Sequence, residues 1–174
     1  MAKAESQNLS DRLNTMSEQL SHAVKALELQ NDTLKAYEGQ VTALQDTRTK
    51  LTESRDAEKD ARVKAEAVAA RHPEAIVIGS DQVALRGADL LGKPGSVERC
   101  REQLRTSSGQ EVVFLTAVHV IDGSAGRAES HVDRTVVKFR DLSDAEIDRY
   151  IERDQPLDCA GGFKAEALGI ALFD

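Results

Sequence analysis

The sequence predicts an α/β domain preceded by a long coiled-coil helix, and two observations lead to this fold class. The first is a change in composition. Residues 1–72 contain one glycine and no proline, whereas ten glycines and all three prolines follow. Because glycine and proline mark turns and loops, the first part is predicted as one unbroken helix. The second observation is a change in apolar pattern, from a seven-residue repeat to short β-like runs separated by helical segments. We place the helix at residues 1–62 and the domain at residues 63–174.

The first part carries a heptad repeat that predicts a coiled coil. Apolar residues at heptad positions a and d form a stripe over about five heptads, which is typical of a helix that pairs with a partner. We therefore expect a homo-oligomer formed through this helix. The alternative is a single, partly ordered helix, which would leave the stripe in water. The stripe weakens at Ala23 and Gln30, and Arg48 and Arg55 occupy later a positions. The a series is Leu13, Leu20, Leu27, Leu34 and Val41, and the d series is Leu9, Met16, Ala23, Gln30, Tyr37, Leu44 and Leu51.

Composition narrows the classes of partner. The chain has 23 basic and 30 acidic residues, a formal charge of −7, with 3% aromatic residues and no tryptophan. An acidic chain binds nucleic acid and anionic membranes poorly, so we expect neither as a partner. We expect no signal peptide and no transmembrane helix, because the first residues lack an apolar segment of the signal-peptide kind and no stretch approaches 18 apolar residues. Cys100 and Cys159 lack partners at metal-ligand spacing, so we interpret them as free thiols in a cytoplasmic protein; a single disulfide between them is the alternative.

The second part alternates strand-like and helix-like segments. A continuous apolar run predicts a strand buried on both faces, followed by a polar turn. Ser96 is predicted to cap one helix, and the Ser-Asp-Ala-Glu sequence at 143–146 is a capping box that opens another. The predicted elements are a buried strand at 75–79, a short strand at 83–85, a loop at 92–95, a helix to about Ser107, a strand at 112–121, a hairpin turn at 122–124, a returning strand at 131–139 and a helix to about Arg153.

The first candidate site follows the predicted buried strand. Ser80, Asp81 and Gln82 come directly after it, and ligands bind at the carboxyl ends of strands in α/β sheets. An aspartate there can hold a divalent metal or activate water. The alternative is a turn in which Asp81 accepts hydrogen bonds from backbone N–H groups, and position alone does not decide between them.

Two further candidate sites lie in glycine-containing loops. Lys93 stands in a Gly-Lys-Pro-Gly loop before a helix, where a lysine can bind phosphate. An exposed lysine on a turn is the alternative, and the loop alone favours it. The segment 160–169 contains the adjacent glycines Gly161 and Gly162, which permit close approach of a ligand to the backbone. A flexible loop is the alternative, and spacing alone favours that interpretation too.

Taken in order along the chain, these segments resemble the Maf family of nucleoside-triphosphate pyrophosphatases. The resemblance covers about 110 residues, from Lys64 to Asp174, and rests on several blocks in the family's order. The final Cys-Ala-Gly-x-Phe-Lys-x-Glu block resembles the branch of the family that acts on 7-methyl-GTP. The blocks are Lys64-Ala65, Ile76–Val83, Leu91–Pro94, Gln103–Arg105, Ser108-Gly109, Phe114–Thr116, Val137 with Phe139 and Arg140, Leu142 with Glu146-Ile147, and Asp158–Lys164 with Glu166.

The resemblance implies a Maf-like, ITPase-like mixed sheet and hydrolysis of a nucleoside triphosphate to its monophosphate and pyrophosphate. It implies a divalent cofactor, Mg²⁺ or Mn²⁺, with Asp81 as general base or metal ligand. Lys64 and Lys93 would hold the phosphates and stabilise developing charge. Glu166 would accept hydrogen bonds from the N1–H and N2–H₂ edge of a guanine, whose 7-methyl group adds positive charge to the base. Further substrate contacts are assigned to Ser80, Gln82, Gly161 and Lys164.

Two departures from the family pattern give an alternative function. The family begins with a strand and a Ser-x-Ser-Pro-x-Arg phosphate loop, which residues 1–62 do not contain. It also continues past the position of Asp174 with a Gly-Leu-Pro segment and a helix. We therefore expect a domain incomplete at both ends. The alternative is a coiled-coil interaction protein that carries an inactive remnant of the enzyme.

Overall fold

The first helix is longer than its heptad repeat. In the computed structural model, which describes the backbone of residues 2–174 and the side chains of residues 12–174, helix α1 spans Ala2–Ala69. The predicted helix is thus confirmed and extends seven residues further. Among the described residues, no helix is long and apolar enough to cross a membrane. The chain divides into two compact units, Met1–Gln45 and Asp46–Asp174.

The first unit is a helix whose apolar stripe is exposed. From residue 12 to residue 44 every side chain is exposed, including the large apolar ones at positions a and d. Leu9, which belongs to the predicted stripe, lies outside the described side chains. The pairing of this helix with a partner stays a prediction.

The second unit contains a four-stranded sheet. Its strands are β1 (Ile76–Arg86), β2 (Asp89–Leu91), β3 (Glu111–Asp122) and β4 (Arg127–Lys138), in the spatial order β2-β1-β3-β4. Each of these neighbouring pairs is antiparallel, so the mixed sheet implied by the resemblance is not found among the described residues. Short turns join β1 to β2 and β3 to β4, as neighbouring antiparallel strands allow, whereas the chain runs from β1 to β3 through β2 and a helix, Val97–Ser107.

Strand β1 differs most from the prediction. The sequence predicts a buried strand, a polar turn and a second short strand, but residues 76–86 form one strand. Val77 and Gly79 are buried, whereas Ile76 and Ile78 are 71% and 68% exposed. A continuous apolar run suggested burial on both faces, yet only one face is covered here. The polar residues 80–82 continue the same ladder opposite β3 and do not form a turn.

Strands β3 and β4 form a long hairpin of twelve residue pairs. The predicted turn after residue 122 is confirmed, but β4 begins at Arg127, four residues before the predicted start. Most side chains of β4 are exposed. Its early part has no continuous apolar run, and this explains why the sequence pattern missed it.

Two helices cover one face of the sheet. Helix α2 (Val97–Ser107) begins after Ser96, whose side chain accepts a hydrogen bond from the N–H of Arg99, as predicted. Helix α3 (Asp144–Asp154) begins at the predicted capping box, in which both reciprocal hydrogen bonds are present. Their apolar faces enter the main core. Its buried residues are Ala84, Leu91, Cys100, Leu104, Val112, Phe114, Phe139, Ile147, Tyr150, Ile151 and Leu172.

The last 20 residues contain three short 3₁₀ helices, Pro156–Asp158, Ala160–Gly162 and Leu168–Leu172. They are attached to the sheet by contacts among all four phenylalanines of the chain. The ring of Phe163 lies 5.6 Å from that of Phe114 and 4.6 Å from that of Phe173, which lies 4.7 Å from Phe139. Tilted and edge-on ring pairs stabilise such contacts beyond simple burial. This attachment fixes the loop that carries the predicted substrate contacts.

The other face of the sheet packs against the end of α1. Ala57 and Ala61 are fully buried against Ala117, and Ala65 is buried as well. A Cβ atom added at Gly79 would overlap the carbonyl oxygen of Ala61 and approach the backbone nitrogen of Ala65. Small residues on both sides therefore allow the helix and strand β1 to lie in direct backbone contact.

Candidate functional site

An ion pair joins α1 to the middle of β1. The Lys64 ammonium contacts Oδ1 of Asp81 and also donates a hydrogen bond to the carbonyl oxygen of Ser80, with an Nζ to O distance of 3.1 Å. The Asp81 side chain is 24% exposed, while that of Lys64 is 54% exposed. The pair is thus open to solvent on the lysine side. At a surface, such a pair can bind an anion that carries a metal ion. The ammonium then contacts the anion and the carboxylate contacts the metal, either alongside or in place of their contact with each other.

The geometry follows from the close contact at Gly79. Because α1 lies directly on β1 at Gly79, Lys64, which precedes Ala65 on the helix, comes within reach of Asp81, two residues after Gly79 on the strand. Successive strand side chains alternate between faces, so Asp81 and Gly79 point to the same face, towards α1. The close packing of Gly79 against Ala61 and Ala65 thus brings the side chains of Lys64 and Asp81 together.

The pair lies on an open edge of the sheet. Strand β2 pairs only with Ala84–Arg86, so in the described part of the chain residues 76–83 have a partner strand only on the β3 side. The Ser80 carbonyl accepts its hydrogen bond from Lys64 on this side. An extended phosphate chain placed along this edge would meet both the ammonium and the carboxylate.

Ser80 and Gln82 take part in contacts within the sheet. The Ser80 hydroxyl donates to the carbonyl oxygen of Ala117 at 2.8 Å, and Gln82 Nε2 donates to Thr116 Oγ1 at 2.8 Å. Gln82 alternates with Asp81 and therefore lies on the opposite face, the face that also holds Ala84. Its amide nitrogen is engaged, which leaves the Oε1 atom as its acceptor for a ligand.

The two predicted loop sites lie side by side. The N–H of Gly161 donates to the carbonyl oxygen of Gly92 at 3.3 Å, and the N–H of Gly95 donates to that of Leu157 at 2.9 Å. Gly161 is buried with φ of +71°, a left-handed conformation that favours glycine. A Cβ added there would lie 3.5 Å from the Cβ of Ala84. The Gly161 loop thus covers the face of β1 that carries Gln82.

Three predicted charges gather near Cys159. Lys93 is exposed in the first loop, and Glu166 is exposed beyond the second. Burial raises the pKa of the Cys159 thiol, the charge of Lys164 lowers it, Glu166 raises it, and Lys93 lowers it. A raised thiol pKa disfavours the reactive thiolate. Cys159 therefore packs between the loops and is poorly suited as a nucleophile.

The side chain of Lys164 is already engaged by the protein. Its ammonium donates to the carbonyl oxygen of Asp154, at the end of α3, with a distance of 2.7 Å, and its backbone N–H donates to the hydroxyl of Tyr150 at 2.9 Å. A cation at a helix C-terminus is stabilised by the helix dipole. These contacts give Lys164 a role in holding the loop, and its contact with substrate stays a prediction.

The predicted site residues therefore form two groups. The first contains Lys64 and Asp81, with the Ser80 carbonyl, at the open edge and on the α1 face of β1. The second lies on the opposite face and contains the side chains or loops of Gln82, Lys93, Gly161, Lys164 and Glu166. The ion pair and the loops thus flank the same strand from two sides.

Sequence reasoning did not find the residues that hold these groups in place. Thr116 binds the Gln82 amide, and Tyr150 and Asp154 bind Lys164. Thr116 faces Gln82 because of the β1–β3 register, in which these two residues are paired. No local pattern encodes that register. The one available signal was that Thr116 is, with His119, one of two polar residues in the otherwise apolar segment 112–121.

The donor set limits how a metal would bind. Among the described residues, no group of three or more His, Cys, Asp or Glu side chains is placed to hold an ion. Asp81 offers one carboxylate, with one oxygen in contact with Lys64. Mg²⁺ commonly takes one or two protein carboxylates and completes its shell with water and substrate phosphates. Asp81 therefore fits a cation that arrives with a nucleotide.

Comparison with known families identifies the class to which this fold and site belong. The family model described as "Maf-like protein" matches residues 10–174. The chain therefore belongs to the Maf-like protein family, and the resemblance seen in the sequence is confirmed. The match also includes most of α1.

Three similar curated proteins carry the same name. The chain is 58% identical over 113 residues to the 7-methyl-GTP pyrophosphatase of Alkalilimnicola ehrlichii, a match that covers 65% of this chain and 57% of that protein. It is 52% identical over 111 residues to the 7-methyl-GTP pyrophosphatase of Aromatoleum aromaticum, covering 64% and 57%. For the protein of the same name from Pseudomonas putida, identity is 49% over 113 residues, covering 65% and 59%. The chain thus spans less than two thirds of the length of each of these relatives.

Proposed function

We propose that this protein hydrolyses a nucleoside triphosphate, with 7-methyl-GTP as the preferred substrate, to the monophosphate and pyrophosphate. The names of the relatives support this substrate. The observation that carries the proposal is the contact of Lys64 with Asp81 and the Ser80 carbonyl at the open edge of β1. It places a cation and a carboxylate together where an extended triphosphate has access.

The products define which bridge between phosphates is cleaved, the one between the α- and β-phosphates. In the proposed mechanism, water attacks the α-phosphorus, its bond to the bridging oxygen breaks, and pyrophosphate leaves with that oxygen. In this mechanism, Asp81 orients the water and accepts its proton. Lys64, and Lys93 from the loop across β1, bind phosphate oxygens and offset the negative charge on the leaving pyrophosphate. A bound Mg²⁺ or Mn²⁺, held by Asp81 and the phosphates, would supply further charge stabilisation.

Selection of the base is assigned to Glu166. Its carboxylate is exposed beside the Gly161 loop. A carboxylate accepts hydrogen bonds from adjacent N–H groups, as on the Watson–Crick edge of guanine, and does not pair with the acceptor O4 of uracil or thymine. Methylation at N7 gives the base a positive charge, which strengthens the contact. Gln82 Oε1 and the Gly161 backbone are proposed to complete the substrate contacts.

We also propose that the chain self-associates through α1, because its apolar heptad stripe is exposed from residue 12 to residue 44. A cytoplasmic location is part of this proposal. It is supported by a nucleotide substrate and by two free thiols, which are typical of a reducing compartment.

The test is release of pyrophosphate from 7-methyl-GTP with Mg²⁺, compared with GTP, dTTP and UTP. We expect preference for 7-methyl-GTP, and we expect Asp81→Asn to lower the rate by about 10²–10⁴-fold, the usual contribution of a general base. Asp148→Asn is the matched control, because Asp148 pairs with Arg101 on the helical surface. Equal loss in both variants would point to damage to the fold.

A specific observation favours a second candidate function, a coiled-coil interaction protein with an inactive domain. That observation is the exposed stripe of α1. If the folded protein releases pyrophosphate from none of the four nucleotides, the enzyme proposal fails and this function remains. Circular dichroism and cooperative unfolding would establish that the protein in the assay is folded.

A further inference from the structure

The exposed stripe of α1 has the dimensions of a single helix–helix interface. We call its residues the seam, and its large apolar members are between 52% and 69% exposed. The seam runs from residue 13 to residue 44, about 48 Å at 1.5 Å per residue, and a helix is roughly 10 Å wide. Pairing two copies would bury on the order of 1,000 Å² in total, which reaches the size of a specific interface. The seam consists of Leu13, Met16, Leu20, Ala23, Leu27, Gln30, Leu34, Tyr37, Val41 and Leu44.

The narrow width of the seam favours two strands over three or four. Heptad positions e and g flank the seam. Eight such positions lie between residues 17 and 40, and six of them carry polar residues. An apolar stripe confined to positions a and d fits one partner helix, whereas larger bundles also bury the flanking positions. The polar flanking residues are Ser17, Gln19, Asn31, Thr33, Glu38 and Gln40, and the other two are Val24 and Ala26.

Gln30 distinguishes the two orientations of a pair. It is the one seam residue with an amide, and it lies near the middle of the seam. In a parallel pair in register, Gln30 faces Gln30 of the second copy, so each amide has a donor and an acceptor opposite it. In an antiparallel pair that overlaps the whole seam, Gln30 faces Leu27. Each amide would then be buried against an aliphatic side chain, which is unfavourable.

We propose that α1 forms a parallel, two-stranded coiled coil with a second copy of this chain, in a register set by a layer of two Gln30 side chains. This inference rests on the proposed self-association and adds its orientation, order and register. The same kind of device, one polar residue in an apolar seam, fixes register in other coiled coils.

Disulfide cross-linking of the full chain tests the orientation. Met16→Cys and Val41→Cys place single thiols near opposite ends of the seam. In the parallel arrangement each residue faces its own copy, so each variant alone forms a disulfide-linked dimer when treated with oxidised glutathione. In the antiparallel arrangement residue 16 faces residue 41, so only an equimolar mixture of the two variants forms one. Wild-type protein is the control, since it carries Cys100 and Cys159.

Sedimentation of wild-type protein separates the possible failures. We expect twice the mass of the chain, with linked dimers in each single variant. A dimer that links only in the mixture would overturn the parallel register and leave self-association intact. A trimer or tetramer would overturn the two-stranded order. A monomer at micromolar concentration would overturn both this inference and the proposed self-association, while pyrophosphate release would still test the enzyme separately.

A second variant reports on the Gln30 layer. Gln30→Leu removes the paired amides and makes the seam uniformly apolar. We expect a higher midpoint for thermal loss of helicity and a mixture of orientations. Met16→Cys alone should then still form linked dimers, and its mixture with Val41→Cys should also contain a disulfide between residues 16 and 41, identified by mass spectrometry of the linked peptides. An unchanged midpoint with unchanged cross-linking would show that Gln30 does not lie in the interface.

Discussion

Lys64 and Asp81 form an ion pair that spans from helix α1 to the middle of strand β1. The same ammonium donates to the Ser80 carbonyl. This one lysine therefore combines a structural contact with a candidate catalytic one, and substitutions can separate the two roles.

Lys64→Met should lower kcat/KM for pyrophosphate release by about 100-fold, the effect typical of losing one preorganised charge-stabilising group. Its effect on the free energy of unfolding should be about 1 kcal/mol or less, because the side chain is half-exposed. Lys64→Arg should recover part of the activity. Lys59→Met, on an exposed position of the same helix, is the control. Full activity in Lys64→Met would remove this lysine from the proposed site.

Gly79→Ala should destabilise the second unit. The added methyl group would overlap the backbone of α1 at Ala61, so the helix must shift away from the strand. Overpacking of this kind costs about 1–3 kcal/mol, measurable as a lower urea midpoint. Gly92→Ala is a suitable stability control, because a Cβ there meets nothing within 4 Å. Equal stability of the two variants would contradict the close helix–strand contact.

Glu146 should make stability depend on pH in the acid range. Hydrogen bonds from the hydroxyl and the N–H of Ser143, and then from Arg140, lower the pKa of Glu146 from 4.5 to about 2. Since the folded-state pKa is depressed, the carboxylate contributes stability above pH 4.5, and this contribution is lost as the pH falls towards 2.

Urea titrations of wild-type and Glu146→Gln protein between pH 2 and pH 7 would measure this effect. We expect the variant to be less stable at pH 7 and the difference between the two proteins to narrow through the window from pH 4.5 to pH 2. A difference independent of pH would mean that the charge of Glu146 does not contribute.

The two thiols should differ in reactivity. Burial, and to a lesser degree the nearby Cys159, raises the pKa of Cys100 to about 11, and Cys100 is fully buried. Only the thiolate reacts with iodoacetamide. In the folded protein at pH 8 we expect slow modification of the partly exposed Cys159 and none of Cys100, with both modified in urea. Mass spectrometry of peptides, with Cys100→Ser as reference, would assign the sites. Equal rates in folded protein would show that the core around α2 opens readily.

Local signals predicted the helices well. Ser96 and the capping box of α3 define their helix starts through hydrogen bonds within a few residues, and both caps occur as expected. The heptad repeat likewise predicted the helix that contains it. These features depend on short-range geometry, which a sequence displays directly.

Features that depend on packing were less accessible. The apolar run before Gly79 suggested burial on both faces, but burial is set by what covers each face, and Ile76 and Ile78 are largely exposed. The pairing of Gln82 with Thr116 depends on the β1–β3 register. The family resemblance associated Lys64 with Asp81, yet their contact requires α1 to lie on Gly79, a long-range arrangement that no spacing along the chain encodes.

The open edge of β1 has a consequence for handling the protein at high concentration. In the part of the chain that the structure describes, residues 76–83 have no partner strand on one side and lie next to two exposed isoleucines, a combination that favours strand addition by other chains and aggregation. The charge at Asp81 and the ammonium of Lys64 over the Ser80 carbonyl stand in the middle of this stretch. They act as gatekeepers against such growth, so loss of Lys64 should increase light scattering in concentrated samples even where the fold is intact.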